Sequence, residues 1–195
     1  MSVVRGQRQT ERSKQALTTA LLELLRQQSY QSITIQDIAG RANIGRSTFY
    51  RHFQSKADVL VAMHKEFFTG FALGFLPADN VLSPQPSPGL VRMLTLFKQA
   101  GSLPVSLTSL GEDADYVFRQ ISILLCRAIE EKLHAAWAEQ ESTIPFPLLA
   151  QAMTGIYMGL LRGVAENQST FSPEQLAETI ERLNRALLRE AIGKG

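Results

Sequence analysis

Thr34-Ile-Gln-Asp-Ile-Ala-Gly-Arg-Ala-Asn-Ile-Gly-Arg-Ser-Thr-Phe-Tyr-Arg-His-Phe53 is the stretch on which the fold turns. Thr34 carries the hydroxyl of a helix N-cap, and Asp37, three residues on, completes a capping-box pattern. Ile35, Ile38, Ala39 and Ala42 then recur on one face at helical spacing. Ala39 is small enough for a second helix to approach. Asn43 tolerates the left-handed backbone of a sharp turn, so the first helix ends there. Ile44 plugs the turn into the core. Gly45 is an acceptable N-cap for the next helix, whose first turn is Arg46, Ser47 and Thr48. Phe49 and Phe53, four apart, face inward, while Tyr50, Arg51 and His52 stay outside. Two short helices joined by a tight turn, the second polar and basic on its open face, make a helix-turn-helix and imply double-stranded DNA as partner.

Outward from this core, Ser55-Lys-Ala-Asp58 repeats the capping-box pattern and opens a further helix. Upstream, Arg12 to Gln27 reads as a helix with Leu17, Ala20, Leu21, Leu24 and Leu25 on one stripe. Arg5 and Arg8 precede it, either as a flexible arm along a groove or as a solvated tail. Charge follows the same division. Residues 1–56 hold nine Lys/Arg against three Asp/Glu, whereas residues 57–195 hold eleven against fifteen. The positive excess lies on the DNA-reading segment, where phosphates must be neutralised.

Arg46 can bond bidentately to a guanine edge, and Ser47 and Thr48 can reach base edges or a thymine methyl. Contact with phosphate alone is the other reading for Arg46, since half or more of protein–DNA hydrogen bonds go to the backbone. Thr34 and Lys56 sit at helix N-termini and, with Gly45, Tyr50, Arg51 and His52, are candidate DNA contacts. For Tyr50 the alternative is a half-buried ring that packs the domain.

Residues from about Arg12 to Leu60 resemble the DNA-binding domain of the tetracycline-repressor (TetR) family. The residues that carry the resemblance are Thr34, Ile38, Ala39, Ala42, Ile44, Ser47-Thr48-Phe49-Tyr50, His52-Phe53 and Lys56. Asn43 stands where the family commonly has Gly, and Gly45 where Ser is common; both keep the required backbone role. The resemblance implies an all-α protein with an N-terminal three-helix helix-turn-helix domain, residues 1–56. A C-terminal helical domain for ligand binding and dimerisation, residues 57–195, would follow. It also implies a cytoplasmic homodimer on a pseudo-palindromic operator, a repressor released by an apolar or amphipathic small molecule. It favours phosphate contact for Tyr50. On this reading Phe67, Phe71, Met93, Phe97, Phe118, Trp137, Met153 and Tyr157 are candidate pocket residues, although the same residues could simply fill a core. Ile156, Leu160, Val164, Leu183 and Leu187 are candidate dimer contacts, with Gly155, Gly159 and Gly163 spaced to permit close approach. These stripes could instead pack on their own domain. A DNA-bound adaptor that works through a protein partner, with no effector, is the competing function.

The rest of the chain reads as helices over residues 57–76, 90–100, 113–140, 146–167 and Pro173–Ala191, with a Pro/Ser-rich loop over 77–89 and one short helix near Val105–Leu110. The acidic residues Glu112, Asp113 and Asp115 suit a helix N-terminus, and a cation site is the alternative. No signal-peptide core or membrane-length apolar run is present. A single cysteine, Cys126, excludes an internal disulfide framework. No His-Glu-x-x-His, Cys-x-x-Cys, phosphate loop or Gly-x-Ser-x-Gly occurs. No enzyme, cofactor or metal is therefore expected, and His64 and His134 are expected exposed or half-buried.

Overall fold

The computed structural model describes residues 2–75, 87–99, 109–138, 140–165 and 170–192, and within these the regular structure is helical. The helices are α1 (Ser2–Leu25), α2 (Ile35–Arg41), α3 (Arg46–His52), α4 (Lys56–Phe75), α5 (Pro88–Gln99), α6 (Ala114–Trp137), α7 (Phe146–Ala165) and α8 (Pro173–Ile192). Short 3-10 turns at Tyr30–Ser32 and Gly111–Asp113 lead into α2 and α6. The expected helix near Val105–Leu110 falls largely outside the described residues, as does most of the Pro/Ser-rich loop. The chain forms two compact units, residues 1–66 with 104–120 and residues 67–103 with 121–195.

In the first unit α1 packs on α2 and α3, which also pack on each other. Leu17, Leu21, Ile38 and Phe49 are fully buried, joined by Ala20, Leu24, Ala39 and Phe53. Burying a Leu, Ile or Phe side chain contributes roughly 1.5–3 kcal/mol. Helices of seven residues, as α2 and α3 are, do not persist alone in water, so this shared core holds them.

Three features differ from the sequence expectation. Helix α1 starts at Ser2 rather than Arg12, which places Arg5 and Arg8 in the helix instead of a flexible arm. No proline stops the helix there, and extension from a formed helix is far easier than nucleation. The unit also runs on past Lys56, because Ala57, Val59 and Leu60 are buried and the start of α6 is tied to it by side-chain bonds. Finally, His64 is buried. Its Nδ1 lies 2.7 Å from the Leu60 carbonyl oxygen, the position of a donated N–H, and burial holds the imidazole below its ordinary pKa.

In the second unit α5, α7 and α8 pack on one another. Leu90 and Leu94 of α5, Met153 and Tyr157 of α7, and Ile180 and Leu188 of α8 are buried. Ser172 caps α8 by accepting from the Gln175 N–H at 3.2 Å, while Gln175 Oε1 accepts the Ser172 N–H at 2.8 Å. Pro173 takes the first helical position, where its missing N–H is harmless. At the other end the Thr143 N–H donates to the Ala191 carbonyl at 2.8 Å, closing the last turn of α8.

Candidate nucleic-acid interface

The helix-turn-helix is assembled from short-range bonds. Thr34 Oγ1 accepts from the Asp37 N–H at 3.2 Å, and Asp37 Oδ2 accepts from the Thr34 N–H at 2.9 Å and from the Thr34 hydroxyl at 2.6 Å. Those bonds, the hydroxyl's first, hold the Asp37 carboxyl below the usual carboxylate range. The turn after α2 is a Schellman motif. Asn43 has φ +53°, the Ile44 N–H donates to the Ala39 carbonyl at 2.9 Å, and the Asn43 N–H donates to the Gly40 carbonyl at 3.1 Å. Gly45 then caps α3 in extended geometry, its carbonyl accepting from the Thr48 and Phe49 N–H groups.

Helix α3 is thereby turned so that Phe49 faces the core and Arg46, Ser47, Tyr50 and Arg51 face solvent. Thr48 and His52 flank this surface, each half-buried. The Tyr50 ring is 46% exposed, too open for a packing residue. The Arg46 guanidinium lies 5.6 Å from its ring centroid, and Nη2 donates to the hydroxyl across a long 3.5 Å. Such an exposed cation–π contact is worth about 0.5–1 kcal/mol, so Arg46 is positioned yet easily redirected to a base or phosphate. Partial burial, with the Lys14 and Arg51 charges, lowers the His52 pKa against a smaller opposing effect of Glu11.

Two expected phosphate contacts are engaged elsewhere. The Thr34 hydroxyl is spent on Asp37, whose carboxylate would repel an anion there. Lys56 Nζ donates to the carbonyls of Tyr30 at 2.9 Å, Ile33 at 3.0 Å and, weakly, Gln31 at 3.4 Å. It also stands 4.4 Å from the Tyr30 ring centroid. An ammonium has three donors, and all three are occupied in closing the 3-10 turn before α2.

A second set of bonds was not anticipated from sequence. The Tyr30 hydroxyl donates to Asp113 Oδ2 at 2.8 Å, and the Tyr116 hydroxyl donates to Asp58 Oδ1 at 2.5 Å. Asp58 also accepts from the Gln54 and Ser55 N–H groups, each at 2.9 Å. Burial pushes its carboxyl up, but the Tyr116, Gln54 and Ser55 hydrogen bonds outweigh it and leave the pKa below the usual range. Gly111 has φ +59°, and an added Cβ would stand 3.2 Å from Gln31 Nε2. Glycine adopts this left-handed conformation without strain, and the turn brings Asp113 to Tyr30. Asp113 is a hydrogen-bond partner, while Glu112 and Asp115 are exposed.

The other candidate residues distribute as follows. Met153 and Tyr157 are buried, and Phe118 and Trp137 are half-buried. Phe67, Phe71, Met93 and Phe97 lie on helices, but their side chains fall outside the described residues, as does that of Val164. On α7, Ile156 and Leu160 are half-buried. On α8, Leu187 is half-buried and Leu183 is 42% exposed. Among the described residues, added Cβ atoms at Gly155, Gly159 and Gly163 would meet nothing within 4 Å.

An all-α chain that projects a capped, basic recognition helix is a helix-turn-helix protein. The sequence profile of the bacterial regulatory proteins of the tetR family matches residues 17–63. The match spans the helix-turn-helix and parts of the helices on either side of it. It is 42% identical over 57 residues to the uncharacterized HTH-type transcriptional regulator YxbF of Bacillus subtilis (strain 168), a match covering 29% of this chain and 15% of that relative. A TetR transcriptional regulator from Streptococcus agalactiae 2603V is 26% identical, with a TM-score of 0.52 over 94% of this chain and 99% of the other. The TetR-family repressor AlkX from Dietzia sp. strain DQ12-45-1b shares the fold at a TM-score of 0.59 and 18% identity, over 91% and 96% of the two chains. Thermus thermophilus FadR, a TetR-family repressor in complex with lauroyl-CoA, does so at 0.58 and 19%, over 91% and 94%.

Proposed function

We propose that this regulator is a homodimeric, sequence-specific repressor in the cytoplasm, released from its operator by an apolar or amphipathic small molecule. The first unit would read DNA, and the second would hold the effector and join the protomers. The observation that carries the reading is the solvent-facing surface of α3, where Arg46, Ser47, Tyr50 and Arg51 stand together over a buried Phe49. Arg46 and Ser47, with Thr48, address base edges, and Tyr50, Arg51 and His52 address phosphates.

A single module of this size has too small a footprint for tight specific binding. Two copies on half-sites about one helical turn apart supply the rest. The outward face of α7 and α8, with Ile156, Leu160, Leu183 and Leu187 beside open glycines, suits such a pairing. The lauroyl-CoA bound by FadR and the n-alkane biodegradation in which AlkX is implicated support an effector with an apolar body. Release requires that the effector bind more tightly to a geometry whose recognition helices miss successive major grooves.

Selection of the purified protein against random duplex DNA at stated salt tests this function. An enriched inverted repeat is the expected result. Salt-sensitive binding with no enriched sequence would overturn the specific-reader proposal and favour the adaptor reading.

A further inference from the structure

The inner face of α8 is apolar except at its middle. Leu176, Ala177, Ile180, Leu188 and Ala191 are buried there, and so is Asn184, which is only 4% exposed. Its amide lies against the Tyr157 hydroxyl, yet neither Nδ2 nor Oδ1 makes a hydrogen bond of acceptable geometry. Tyr157 is itself 3% exposed. Its phenol is held neutral, its pKa raised first by burial and then by the Glu181 charge, against a smaller lowering by Asn184. Glu181 is not available to neutralise an incoming group. Its Oε1 accepts the Ser87 N–H at 2.7 Å, and its Oε2 lies 3.6 Å from Arg185 Nη1.

A buried amide with both ends unmet is unfavourable, and native interiors leave few of them. A leucine at this position would continue the apolar stripe without that penalty. We propose that Asn184 is the polar anchor of an effector site among α5, α7 and α8, and that it takes the uncharged hydroxyl or carboxamide head of an otherwise apolar molecule. The inference rests on the effector reading above and specifies the chemistry of the ligand. The amide supplies one kind of donor and one kind of acceptor, so the matching head must both accept and donate. A carboxylate cannot donate to Oδ1. The buried side chains Leu90 and Leu94 of α5, Met153 of α7 and Ile180 of α8 suit a hydrocarbon body.

The test compares two isomers, decanol and methyl nonyl ether, by calorimetric titration of the full-length protein. They have the same atoms, but only the alcohol can donate. Decanol is expected to bind wild type about tenfold or more tighter than the ether, the effect of leaving one buried acceptor unmet. Asn184→Ala, which cannot overpack the site, should bring the two within about twofold. It should still bind the ether. Equal binding of the isomers by wild type, or a preference retained in Asn184→Ala, would overturn the proposal. Asn184→Leu, which leaves no cavity, should melt no lower than wild type. A fall of several degrees in that variant would also overturn the proposal, because the amide would then be satisfied structurally, through buried water. If neither isomer binds, but a charged molecule releases the protein from its operator, the effector reading stands and this anchor falls. An operator affinity that no small molecule changes would instead defeat the effector reading itself.

Discussion

Replacing Lys56 by methionine separates a structural role from a DNA-contacting one. Methionine keeps most of the stem and can remain against the Tyr30 ring through its sulfur, but it removes the ammonium. Two bonds, at 2.9 and 3.0 Å to the Tyr30 and Ile33 carbonyls, are of full strength, and the third, at 3.4 Å to Gln31, is marginal. Hydrogen bonds to a charged group contribute about 1.5–3 kcal/mol each. Because Lys56 is half-buried, the low end applies, and Lys56→Met should lower the free energy of unfolding by about 2–4 kcal/mol. Urea unfolding measures this loss. Operator binding is then followed against salt concentration, well below the denaturation midpoint. The slope of log K against log salt should match wild type, because no phosphate contact has been removed. A phosphate clamp at Lys56 would behave in the opposite way. The slope would fall by about 0.9 per protomer, with stability within about 0.5 kcal/mol of wild type. That result would refute the reasoning.

Arg46→Ala should weaken specific binding by about 1–3 kcal/mol and relax the preference at one base position. An unchanged selected sequence would remove Arg46 from the base-reading set. Asp58 has its carboxyl pKa held below the unfolded value of about 3.9. Its stabilisation is therefore present above that pH and lost as pH falls through the lower folded pKa. Asp58→Asn should flatten the acid limb of the stability profile below about pH 4, and an unaltered limb would rule out this source. Leu183→Glu together with Leu187→Glu places charge on the outward face of α8. Sedimentation should show wild type near twice 21.6 kDa and the variant near one chain, and a variant that remains dimeric would move the interface elsewhere.

Local signals in the helix-turn-helix were legible because each acts within four or five residues. Thr34 with Asp37, Asn43, Gly45, and Ser55 with Asp58 all report backbone chemistry of their own turn, and the structure places them in those roles. Ser172 and Pro173 did the same for α8. Burial of Phe49 and Phe53 followed from their spacing alone. Lys56 was misleading for the same reason. Its position at a helix start is visible in sequence, but the carbonyls it binds belong to residues 30–33, brought to it by the fold. Arg5 and Arg8 failed differently, since no local signal marks a helix that is merely extended from a stable neighbour.

Sequence by itself determined the fold class, the recognition helix with its outward face, and the concentration of positive charge on that part of the chain. Periodicity and capping are properties of contiguous residues, and charge is additive. Tertiary structure alone decided that Tyr30 meets Asp113, that Asp58 meets Tyr116, and that the α7 stripe divides between a buried Met153–Tyr157 side and a half-buried Ile156–Leu160 side. It also decided that Asn184 lies inside with its amide unmet. Each of these depends on which helix packs against which face, and a helix that is apolar on several sides does not carry that choice in its own spacing.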